Sequence, residues 1–82
     1  SLAVEMVSVR VADTRHAKDL LATTAGVRRA AIFGDTIHVS LGSKERDWPA
    51  VEAALVAARI EVLDVHDVGA SLEDVFIARV SA

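Results

Sequence analysis

The chain has 82 residues, a formal net charge of −3 and no cysteine. Its length suits one domain, or a piece cut from a longer protein, and lets somewhat more than ~60% of the unfolded surface be buried. Disulfides and thiol chemistry are excluded, no apolar run reaches the ~20 residues of a membrane span, and basic residues scattered around a single doublet, Arg28-Arg29, make a poor nucleic-acid footprint. Residues are 52% hydrophobic but only 4% aromatic, so Val, Ala, Leu and Ile must build the core. The start Ser1-Leu2-Ala3-Val4-Glu5 lacks the basic region and apolar run of a signal peptide.

Residues 4–11 read as a strand, with Val7, Val9 and Val11 alternating with Ser8 and Arg10. Asp13 or Thr14 can cap a helix running to about Thr24, with Ala17, Leu20, Leu21 and Thr24 on one side and Gly26 as its stop. Strands at 27–33 and 36–41 are joined by Gly34-Asp35, a two-residue turn of the primed type. This hairpin sets Phe33 opposite Thr36, Ile32 opposite Ile37, Ala31 opposite His38 and Ala30 opposite Val39. The period of two then puts Ala30, Ile32, Ile37, Val39 and Leu41 on a core side.

Gly42 to Arg46 reads as a polar loop. Pro49 suits the first turn of a helix over 48–59, with Trp48 stapling its start and Val51, Ala54, Leu55 and Ala58 as the buried stripe. Residues 60–66 return as a strand with Leu63 and Val65 on one face. Gly69 and Ala70 turn the chain into a short terminal helix. Ser71 caps it, Asp74 answers from the third position, and Glu73 and Asp74 complement the helix dipole. Leu72, Val75, Phe76 and Val80 share one side, and a helix this short needs a surface to dock on. The order β-α-β-β-α-β plus a short helix predicts an α+β, ferredoxin-like sandwich. Two helices cover one sheet face, and the other, carrying Ser8, Arg10, Phe33, His38 and Ser40, is open.

Catalytic, cofactor and metal constellations do not emerge from the pattern. His16, His38 and His66 share no metal-ligand spacing. His66 lies between Asp64 and Asp67, which reads as a solvated strand end beside acidic neighbours. The carboxylate pairs Glu73/Asp74 and Asp64/Asp67 have structural explanations. All four glycines are isolated at turns, and no Gly-rich loop ends in Gly-Lys-Ser/Thr to hold phosphates.

The run Ser71-Leu72-Glu73-Asp74-Val75-Phe76, placed near the C-terminus after a βαββαβ pattern, resembles the closing signature of bacterial ABC-transporter ATP-binding subunits of the drug-resistance and ABC-2 exporter type. The usual form has Pro before the Ser, where this chain has Ala70. The resemblance implies a bacterial accessory domain, residues 1–82, that follows a nucleotide-binding domain not contained in this chain. It implies no enzymatic activity, no cofactor and no metal. It implies a cytoplasmic location at the inner face of the membrane. The implied partners are its own nucleotide-binding domain, the paired subunit or the membrane subunit, with self-association as a further option. Leu72, Val75, Phe76, Val80 and Phe33 are the candidate docking residues, and Ser71 and Asp74 the helix cap. Two other readings stay open: an ACT-like amino-acid sensor, although its ligand turn would be the glycine-free Ala12-Asp13-Thr14, and a self-association module using sheet edges.

Overall fold

The structure, a computed structural model, describes residues 4–69. The elements run β1 (Glu5–Val11), α1 (Thr14–Ala22), β2 (Val27–Phe33), β3 (Thr36–Leu41), α2 (Lys44–Ala57) and β4 (Val62–Val68). The four strands form one sheet in the order β2-β3-β1-β4, with every neighbouring pair antiparallel. The result is a small α+β fold with two helices on one sheet face.

Alternation in β1 turns Val7, Val9 and Val11 inward, and they are at most 2% exposed. They meet Ile37, Val39 and Leu41 of β3, Ala17 and Leu21 of α1, and Val51 and Leu55 of α2, all essentially buried. Asp13 starts α1, its carboxylate accepting from the His16 amide at 3.1 Å. At the other end the Thr23 and Thr24 hydroxyls donate to the Leu20 carbonyl at 3.1 and 2.9 Å.

The hairpin has the expected register from Ala30↔Val39 to Phe33↔Thr36. Gly34 takes φ +64 while Asp35 stays out of the left-handed region, which suits a primed turn with glycine first. The core side needs one correction. Ile32 is 42% exposed although its partner Ile37 is fully buried, because β2 is the outermost strand of the sheet and no described residue pairs with its outer edge.

The second helix starts four residues before its expected position. Ser43 is the N-cap, its Oγ accepting from the Arg46 amide at 3.2 Å, and the Asp47 carboxylate accepts from the Ser43 amide at 3.0 Å. This reciprocal cap organises the segment expected as a polar loop. Pro49 therefore sits inside the helix, and Trp48 is no staple ahead of it but a residue of its second turn, packed against the core.

The end of α2 displaces the following strand. Arg59 is left-handed at φ +57, its amide donates to the Val56 carbonyl at 3.0 Å, and the Ile60 amide reaches back to Leu55 at 3.0 Å. This is a Schellman closure with Arg where glycine is usual. Ile60 is buried beside Leu55 as the apolar partner of that closure, so β4 covers 62–68 and not 60–66. A register shift between Arg10 and Val11 marks a bulge in the β1–β4 ladder.

Candidate interaction surface

In-register pairing assembles the sheet face that the described residues leave uncovered. Met6, Ser8 and Arg10 of β1 lie opposite Ser40, His38 and Thr36 of β3 and opposite Val68, His66 and Asp64 of β4. Arg29, Ala31 and Phe33 extend the rows onto β2. Phe33 is 57% exposed and stacks on His38, ring centroids 4.4 Å apart at 29° between planes. A large aromatic ring left exposed on a sheet face is a candidate contact residue.

Two polar pairs lie on the β1 and β4 part of the same face. Arg10 reaches the Asp35 carboxylate at 3.8 Å, and His66 Nδ1 lies 3.0 Å from an Asp64 carboxylate oxygen, with all four side chains well exposed. The face is less open than expected at its middle. Ser8 and Ser40 are buried, being short side chains on the two central strands with longer residues in register beside them. The face is therefore a mixed polar surface with one aromatic projection near its β2 edge, and it is not a pocket.

Of the residues expected to dock, Phe33 is described. Leu72, Val75, Phe76 and Val80, with the caps Ser71 and Asp74, lie outside the described residues.

Two features escaped sequence reasoning. One is the cluster at the start of α2. Asp47 is nearly buried and accepts from Arg46 Nε at 3.0 Å and Nη2 at 3.1 Å. The Arg46 hydrogen bonds, aided by the Ser43 amide and the nearby Arg28 charge, hold its carboxyl below the ordinary aspartate range, while Asp47 raises the Arg46 guanidinium. Gly26, at φ +89, lies against this carboxylate, and a Cβ there would stand 2.9 Å from Asp47 Cγ. The signal was the spacing of Ser43 and Asp47, hidden in a charged run.

The other feature is the exposure of β4. Val62, Leu63 and Val65 are 39%, 49% and 38% exposed. Val65 pairs with Val9 on the helix side of the sheet, yet α2 packs mainly on α1, β1 and β3.

A shallow recess of about 420 Å³ lies between Glu5 and the first turns of α2, lined by Ser43, Lys44, Glu45, Trp48 and Pro49. There the Lys44 amide donates to Glu5 Oε1 at 3.0 Å, and the Lys44 ammonium pairs with Asp67. Among the described residues, no three potential ligands gather to hold a metal ion. No helix among them is long and apolar enough to cross a membrane. Comparison of the chain with protein-family models and with curated proteins yields no match.

Proposed function

We propose that this chain is a non-catalytic accessory domain of an ABC-transporter ATP-binding subunit, making contacts within or between subunits. The observation that carries the reading is the run Ser71–Phe76 following a domain of this element order. The strand order β2-β3-β1-β4 supports the ferredoxin-like, split βαβ arrangement, and the short terminal helix is proposed from the tail's sequence alone.

In this reading Phe33 anchors one contact on the uncovered face, and Leu72, Val75, Phe76 and Val80 form the apolar side of a second docking element. The nucleotide and its chemistry belong to the preceding domain, and the chain works at the cytoplasmic face of the membrane through its partners. The sensor reading lacks a favouring observation, because Asp13 in the turn after β1 already serves as a helix cap.

Thermal melting of the chain with Mg²⁺-ATP, and separately with each amino acid, tests the proposal. A flat response throughout is expected. A rise with ATP would contradict the non-catalytic reading, and a rise with an amino acid would replace it with the sensor.

A further inference from the structure

We propose that β2 is a dimerisation edge, through which two copies of this chain join antiparallel about a two-fold axis at Ala31 into one continuous sheet. The inference rests on the edge itself and holds whether or not the chain belongs to an ATP-binding subunit.

The sheet has two edges, β2 and β4. β4 carries Asp64, His66 and Asp67, and charges on an edge strand deter pairing with another chain. β2 is guarded only at its start, by Arg28, Arg29 and the register shift between Val27 and Arg29. From Ala30 to Phe33 it runs in regular register without charge or proline, and Ile32 and Phe33 are 42% and 57% exposed.

The hairpin decides which backbone groups face outward. Around a two-residue turn the flanking residues, Phe33 and Thr36, exchange both ladder bonds. Alternation makes Ala31 and His38 the next such pair and turns the amides and carbonyls of Ala30 and Ile32 away from β3. Among the described residues, no backbone group beyond the ladder bonds to Ala30 or Ile32.

A second copy suits this edge because the strand complements itself when reversed. Two-fold symmetry sets each residue opposite one of the same sheet face. With Ala31 on the axis, the outward groups of Ala30 exchange bonds with those of Ile32 in the second copy, and the reverse. The small Ala30 side chain leaves room for the facing Ile32. Arg29 comes beside the exposed Phe33 ring of the second copy, a cation against an aromatic face. Just beyond that ring lies the Asp35 side chain, 71% exposed, so the basic start of one strand meets the acidic turn of the other. An axis at Ala30 instead would set Ile32 against Arg28, where the register shifts.

Sedimentation equilibrium over a concentration series is expected to show a monomer–dimer equilibrium. Ile32→Lys, a charge at an already exposed site, should weaken dimerisation by about tenfold or more. The same change on the opposite edge, Leu63→Lys at a site 49% exposed, should leave it intact. The chain has no cysteine, so single-cysteine variants read the register. Under mild oxidation Ala31→Cys should form a disulfide-linked dimer faster than Ala30→Cys. Amide exchange at Ala30 and Ile32 should slow as concentration rises. A monomer at every concentration, dimerisation unmoved by Ile32→Lys, equal loss in both lysine variants, the reverse order of cross-linking, or assemblies growing beyond the dimer would overturn the proposal. So would protection of those two amides that is independent of concentration, because another part of the same chain would then fill the edge.

Discussion

Replacing Arg59 by glycine should stabilise the protein, although arginine is a good helix former. Arg59 closes α2 at φ +57, a conformation that costs a residue with a Cβ about 1–2 kcal/mol. Glycine removes that cost and returns about 0.5–1 kcal/mol of it through the greater freedom of the unfolded chain. The difference leaves a gain of about 0.5–1 kcal/mol. A domain of this size shifts by about 4–8 °C per kcal/mol, so thermal denaturation followed by circular dichroism should rise by roughly 2–8 °C. Arg59→Ala is the control. It removes the side chain but keeps the strained backbone, and should melt close to wild type. A lower melting temperature for Arg59→Gly than for wild type, or an equal gain for Arg59→Ala, would show that the left-handed backbone at residue 59 carries no such cost.

Other substitutions test the remaining elements. Ser43→Ala should cost about 1 kcal/mol through the lost cap, and a neutral result would return the helix start to Trp48. Because Asp47 is depressed in the fold, its stabilisation is complete above the unfolded carboxylate value of about 3.9 and is lost as pH falls through the lower folded value. Asp47→Asn should therefore flatten the fall in melting temperature below about pH 4. Gly26→Ala adds a Cβ both at φ +89 and against Asp47, and should lower stability by more than about 1 kcal/mol in urea titration. Leu21→Ala, at a fully buried site, should cost about 3–5 kcal/mol, while Phe33→Ala on the surface should stay within about 0.5 kcal/mol; a large loss at Phe33 would make it a structural residue and not a contact anchor.

The parts legible in the sequence are those set by local rules. Gly34-Asp35 fixes the turn, and the period of two carries the register from there to Ala30 and Val39. Asp13 announces α1 because its cap lies directly ahead of an apolar stripe. The start of α2 was obscured for the opposite reason: Lys44-Glu45-Arg46-Asp47 has no apolar periodicity, and Pro49 looks like punctuation. Ile60 reads as a strand residue because it is β-branched and apolar, yet it serves the closure of α2. Exposure is set by sheet position, which no local pattern carries, so Ile32 and the apolar residues of β4 could not be ranked before the strand order was known. On the candidate surface, the Phe33–His38 neighbourhood followed from the hairpin, whereas the Arg46–Asp47 cluster depends on a fold-level approach to Gly26.

The proposal to test first is that the chain is the accessory end of an ATP-binding subunit. The most direct measurement is the nucleotide sequence immediately upstream of the Ser1 codon in the native gene. A continuous reading frame encoding a Gly-x-x-x-x-Gly-Lys-Ser/Thr loop and an ABC signature helix is expected. An in-frame stop, or an upstream domain without a phosphate loop, would contradict it.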